Sequence, residues 1–589
     1  MYYRRPRTLA RFCKGVLPHL LRGADGRRAV GFVADIVETD HWNSFDRFRE
    51  TTRTIVRHYE AAGADTQVYR IPTGGRIGSG RWIVHEAEDI LAATAEVIRP
   101  VRRRVLDYAK NPWHVIQWTS STPPGGMTNR LVVIDTKDEL NARRAGSLAG
   151  WMVLTRMWPA DILKQLTEKC AAGVICDRPV PRLPDAVGWT KFGSGGINIE
   201  NAATRLVGLA VSENQGKMLR KLARKHGALT LRTNVQVRKY VGSHDVISGI
   251  VVGRDDPQDE VWAVAHSTET GAHDNASGGG VCLEIAHLLE GLIAQGVLPR
   301  PRRSIRLLHG YECYGFFNYV ENVRRLQTPL AGVCLDSMGA RPGLCGGRLE
   351  WHDTIPMSAG FVDRVGETVV RAALDLSNPG YKLHHEPFMS TADTLLGDPK
   401  YGFPCPWLAT HYGRGRKALN FYHSSADTIG VLSPRGLAVC AAAMAGYLYY
   451  LADAASPDLL DLASAETKWT LKRIRALGRK RSPEQAQYLA DRHRTSLERL
   501  GRWMWGGDRS EILSHLSSCR EEVGRAVEGA PRAKRPVRKR VPAAAKRIPR
   551  RTVPISPTPE NTPAPIAERI RASKLKPWAL FWADGNRNL

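Results

Sequence analysis

The 589-residue chain lacks the marks of several large protein classes. Its ten cysteines show no recurring spacing, and Cys176, Cys282, Cys334 and Cys440 sit inside apolar runs, where a buried reduced thiol is the ordinary outcome. A disulfide scaffold is not the organising principle. No stretch approaches the roughly 18 consecutive apolar residues of a membrane span. The first 23 residues are basic, but Lys14, His19 and Arg22 interrupt their apolar part and no cleavage site comes after them, so a secretory leader is not expected. The expected location is the cytoplasm. There is no internal repeat, no nucleotide-cradling Gly-x-x-x-x-Gly-Lys-Ser/Thr loop and no Gly-x-Ser-x-Gly serine elbow.

What is present is enzyme-like in size and balance. The apolar fraction of 43% and charged fraction of 24% are ordinary for a globular protein, and the length calls for two or more folded units. The net charge of +27 is unevenly spread: ten basic residues and no acid lie between Pro531 and Thr552. This stretch, rich in proline and alanine, buries too little apolar area to offset its ordering entropy. Residues 531–577 are therefore expected to be a disordered basic tail, touching nucleic acid only nonspecifically. The Trp578 to Trp582 segment beyond it is aromatic enough to dock on something.

Along the chain, residues 38–63 carry an amphipathic helical pattern through Phe45, Phe48, Ile55, Val56 and Tyr59, and then strand-like alternation runs from Thr66 to Ile71. Short β-branched runs then recur: Leu131 to Ile134, Gly150 to Leu154, Gly173 to Cys176, Arg205 to Val211 and Leu229 to Val235. They predict a β-rich insert over 116–235, dividing an α/β unit into residues 24–115 and 236–455. In the latter, apolar strands alternate with helical stripes, the pattern of a largely parallel mixed sheet between helices. A helical extension is expected over 465–528.

The chemistry concentrates in residues 264–428. His266 comes directly after the apolar run Val261 to Ala265, Glu312-Cys313 after Ile305 to Leu308, and Asp336 after Gly332 to Leu335. Asp274 precedes a helical stripe, and His423 sits in Phe421 to Thr428. A helix cap or a turn accounts for each acid singly but not for the ordered series His, Asp, Glu, Asp, His at strand ends. A hydrolytic metal site wants nitrogen and oxygen ligands on rigid elements with a carboxylate nearby to take a proton from water.

These residues, with the Asp274-Asn-Ala-Ser-Gly278, Glu312-Cys-Tyr-Gly315 and Phe421-Tyr-His423-Ser-Ser-Ala-Asp427-Thr motifs, resemble the catalytic domain of the zinc-dependent exopeptidases, the bacterial leucyl aminopeptidases and glutamate carboxypeptidases. The insert resembles the protease-associated domain many of them carry, and would limit access or support a homo-oligomer. The resemblance implies one or two zinc ions: Asp274 bridging, His266 and Asp336 on one metal, His423 on the other, and Glu312 as general base. It implies a peptide or small amide as substrate and an aminopeptidase as the leading activity, with a carboxypeptidase, another amidohydrolase or a non-catalytic scaffold as alternatives.

Two positions depart from the pattern. Cys313 stands in place of the usual second glutamate, either as a thiolate ligand or as a reduced structural thiol, and Thr268 stands where an aspartate normally orients the first histidine, with Glu269 or His273 as candidates to compensate. Asp393 is the candidate partner for a substrate amine. His384, His385, Glu386, Ser390, Thr391, His411, Arg414 and Arg416 are further candidates for the substrate pocket.

Overall fold

The computed structural model describes residues 6–40, 45–73, 87–192, 206–312, 314–323, 329–388, 396–397, 401, 403–410, 419–477, 483–504 and 509–528. Asp393, Ser390, Thr391, His411, Arg414, Arg416, Cys313 and the basic tail lie outside these residues.

The strands are β1 (Asp65–Pro72), β2 (Ala87–Arg99), β3 (Arg103–Asp107), β4 (Met127–Val133), β5 (Trp151–Thr155), β6 (Gly173–Cys176), β7 (Val207–Ala210), β8 (Thr230–Tyr240), β9 (Ser243–Val251), β10 (Asp256–Ser267), β11 (Arg303–Tyr311), β12 (Ala331–Leu335), β13 (Arg348–His352), β14 (Lys382–Glu386) and β15 (Trp407–Ala409). Eight of them form a mixed sheet in the order β1-β9-β11-β10-β12-β15-β13-β14. The central β11-β10-β12-β15 strands are mutually parallel.

The centre of this sheet is buried on both faces, which is why its strands read as unbroken apolar runs. In β10 the side chains alternate: Val261, Ala263 and Ala265 enter one core, and Trp262 and Val264 enter the other. The first core is closed by the helices Gly26–Thr39, Ala276–Ala294 and Pro434–Asp453. The last two are long and apolar enough to cross a membrane, but 78% and 89% of their apolar windows are buried here, so packing inside the fold accounts for their composition.

The second core, on the opposite face, is shared with a seven-stranded sheet in the order β3-β2-β8-β4-β5-β6-β7. Val153, Val174, Cys176 and Ala210 on one of its faces join Trp262, Val264 and Leu308 of the main sheet in a single cluster. This sheet begins at Ala87 rather than near residue 116. The reason is β2, which pairs antiparallel with β8 from Ala87 opposite Tyr240 to Arg99 opposite Thr230.

Both ends of the main unit also extend past the expected limits. The helices Arg7–Gly15 and Leu17–Gly23 bury Leu9, Leu17 and Leu20 completely, and Thr8 donates its backbone N–H to Asp461 at 2.8 Å. Lys14, His19 and Arg22, which break the apolar run in sequence, are the exposed face of these helices. The C-terminal helices are Ser456–Ala476, Pro483–Leu500 and Arg509–Glu528. They are clamped to the sheet by Arg303, which donates to Ala454 O at 2.9 Å and to Trp503 O, and by the Trp503 indole, which donates to Leu451 O at 2.9 Å.

Candidate metal centre

β11, β10 and β12 are adjacent and parallel, so their carboxyl ends open on one crevice. His266 lies one residue before the end of β10, Glu312 one residue after β11 and Asp336 one residue after β12. The loop after β10 brings Asp274 back to the same place. His266 Nε2 is 3.6 Å from Asp274 Oδ1 and 3.8 Å from Asp336 Oδ2. His423 Nε2 is 2.8 Å from Asp274 Oδ2 and 3.8 Å from Glu269 Oε2. The five side chains thus form two ligand clusters, His266-Asp274-Asp336 and Glu269-Asp274-His423, with Asp274 common to both.

The Asp274-to-Gly278 motif places its aspartate by mutual hydrogen bonding. Asn275 caps the Ala276–Ala294 helix by accepting from Gly278 N at 3.1 Å, accepts from Ser337 N at 3.2 Å and donates to Leu335 O at 3.1 Å. Ser277 donates to His273 O at 2.6 Å and accepts from Met338 N at 2.8 Å. A Cβ at Gly278 would lie 2.2 Å from Leu335 O, so only glycine lets the helix start approach the end of β12. The Asp427 carboxylate accepts from the backbone N–H of His273 at 2.7 Å and of Asp274 at 3.0 Å, pinning the loop from the other side.

Backbone strain gathers here. Thr268, Ser337 and His423 all have positive φ, 73°, 60° and 52°. Threonine and histidine hold this unfavourable conformation where well-packed surroundings enforce it, a pattern that concentrates at functional sites.

The electrostatics call for cations. Glu269 is raised well above the usual carboxylate range, by burial first and then by the charges of Asp274 and Glu312. Asp274 is raised by burial and then by Asp336. Glu312, half-buried at the rim, is raised by burial against an opposing pull from His266. Burial alone would raise Asp336 too, but the His266 bond and charge and the Ser337 hydroxyl at 2.9 Å hold it below its ordinary value. His423 is lowered to about 3 by burial and is therefore a neutral imidazole, the form that binds metal. Four acids in one crevice are costly unless positive charge is supplied. Imidazole nitrogen and carboxylate oxygen form a donor set that zinc accepts. The buried Glu269 Oε2 has no hydrogen-bond partner among the described residues, as expected of an oxygen reserved for a metal.

Both departures from the family pattern find an answer in the geometry. Glu269, three residues after His266, brings a carboxylate beside Asp274 and His423. The Thr268 hydroxyl does not orient His266; it donates to its own neighbour, Ser267 O. The buried Asp40, at the end of the Gly26–Thr39 helix, accepts from Thr268 N at 2.7 Å, and its charge interacts with His266. His273 is engaged elsewhere, with Thr410 Oγ1 at 2.9 Å.

Sequence reasoning missed Asp40, which carries no local motif, and gave Asp427 no role although it lies in the His423 segment. It also missed what the second sheet brings to the crevice. Trp189 N donates to His423 O at 2.7 Å, the Trp189 ring meets the His423 ring edge-on at 4.4 Å, and Val187 N donates to Ser425 Oγ at 2.9 Å. By contrast, His384, His385 and Glu386 lie on β14, the edge strand, where they pair with Arg348, Asp353 and Arg348 respectively.

No family model and no curated protein matches the chain in sequence. Solved structures do match. A peptidase M28 precursor from Shewanella amazonensis SB2B is 16% identical with a TM-score of 0.53, over 76% of this chain and 98% of that one. A zinc aminopeptidase from Bacillus subtilis is 14% identical with a TM-score of 0.52, over 73% of this chain and 96% of its own. The likeness is one of fold: the chain shares the architecture of these solved structures.

Proposed function

We propose that the protein is a zinc-dependent exopeptidase, an aminopeptidase in the first instance, that hydrolyses a terminal amide bond of a peptide or related small amide. The observation that carries this reading is the sharing of Asp274, one carboxylate oxygen toward His266 and the other toward His423. His266 and Asp336 would hold one zinc, Glu269 and His423 a second, and Asp274 both. Bound zinc lowers the pKa of a water to about 7 and polarises a carbonyl oxygen. Glu312 stands outside both clusters yet within electrostatic reach of His266, Asp274 and Asp336, the place for a group that takes a proton from the attacking water and passes it to the leaving amine. The seven-stranded sheet would act as a protease-associated-type insert that narrows access to the crevice. Nine free cysteines among the described residues support a reducing compartment, and we place the protein in the cytoplasm.

The test is hydrolysis of aminoacyl anilides and amides by purified protein. Turnover should be lost on chelation and restored by zinc, and Glu312→Gln should lower it about 100- to 10,000-fold with zinc content unchanged. Undiminished turnover in a folded Glu312→Gln protein would overturn the mechanism.

A further inference from the structure

A cavity of about 630 Å3 opens beside His423, walled on one side by the loop between β6 and β7 and on the other by Leu419 to His423. Its charged lining among the described residues is wholly basic: Arg178, Arg182 and Lys191. The Lys191 ammonium lies 4.4 Å above the Trp189 ring, and Trp189 in turn touches His423, so the cation is held on a rigid aromatic platform at the edge of the metal centre. Lys191 and His423 both line this cavity. Arg178 and Arg182 are exposed at the mouth. Thr190, 3% exposed, belongs to the same wall. A pocket intended for a protonated amine or an apolar side chain has no use for three cations, whereas a carboxylate complements them.

We propose that this pocket, contributed largely by the insert, is a substrate subsite for a carboxylate adjacent to the scissile amide, with Lys191 and Arg182 as its specificity-determining residues. The inference rests on the exopeptidase reading for the term "substrate", and concerns which amide is chosen. The carboxylate has two sources: an acidic side chain on the residue before the scissile bond, or the free C-terminus of a dipeptide. The insert thereby becomes part of the site, since the chain segments that hold Lys191 also hold the His423 loop.

The experiment uses the full-length, zinc-loaded protein with matched pairs: glutamyl against glutaminyl p-nitroanilide for the first source, Ala-Ala against Ala-Ala amide for the second. At least one pair should favour the carboxylate about tenfold or more in kcat/KM, the scale of one charge-assisted bond. That ratio should fall toward one in Lys191→Met and invert in Arg182→Glu, whose exposed position spares the fold. Calorimetric binding of glutamate against glutamine to the same proteins gives a readout independent of turnover. If glutamate binds about tenfold tighter and loses this in Lys191→Met while no amide is hydrolysed, the subsite holds and the exopeptidase reading fails. If amides are hydrolysed but neither pair nor the binding discriminates charge, the subsite is wrong and the exopeptidase reading stands.

Discussion

At the scale of single residues, Glu269 is the side chain on which the proposed second metal depends. In sequence it is one polar residue in a run of them; in the structure it carries a buried oxygen aimed at His423 from 3.8 Å. Glu269→Ala should therefore reduce bound zinc from about two equivalents to about one and leave the His266 side loaded, as elemental analysis would show. Asp40→Asn should act differently, because Asp40 touches Thr268 rather than the ligand cluster. Loss of an outer hydrogen-bond partner that holds the loop beside a proposed ligand typically costs about 10- to 100-fold in metal affinity, measurable by competition with a chelating dye.

At the scale of elements, the strand ends of β10, β11 and β12 were legible because a buried parallel strand announces itself as an apolar run, and the polar residue at the run's carboxyl end lies at the crevice. His266, Glu312 and Asp336 were found that way. Glu269 was in view only as a candidate to compensate for Thr268, and Asp427 without an assigned role, since a role depends on where a loop folds back. The N-terminal helices were not legible: Lys14, His19 and Arg22 looked like interruptions until alternate faces of two short helices were separated. The start of the second sheet was misplaced because the pairing of β2 with β8 is a long-range match that no local signal carries. Two substitutions test the packing. Leu20→Ala, at a fully buried site between helices, should cost about 2–5 kcal/mol in denaturant unfolding. Gly278→Ala forces a methyl against Leu335 O and should cost about 1–3 kcal/mol and weaken zinc binding as well, since the same contact sets Asp274.

At the scale of the whole molecule, two sheets share one apolar core, and the C-terminal helices lock onto it through Arg303 and Trp503. The cost of this burial is a set of carboxyls held away from water. Asp40 and Asp427 are both pushed up to about 8, by burial first and against the backbone N–H groups they accept from. The folded protein keeps these protons after the unfolded chain has released its own near pH 4, so rising pH across that interval lowers stability. Above about pH 7.5, a unit beyond the ordinary imidazole value, the buried histidines are neutral in both states and contribute no opposing slope. Metal-free protein should therefore melt at progressively lower temperature from pH 7.5 to 8.5. Zinc should oppose the decline, because its ligands bind it in their deprotonated forms.

Asp274 is assigned above all as the link between two metal sites. Diffraction from zinc-soaked crystals at wavelengths on either side of the zinc absorption edge tests that link directly. Two anomalous peaks are expected about 3.5 to 4 Å apart, one against His266 and Asp336 and one against Glu269 and His423, with Asp274 between them. Saturating zinc that gives no peak in this crevice, or peaks only at surface histidines, would contradict it.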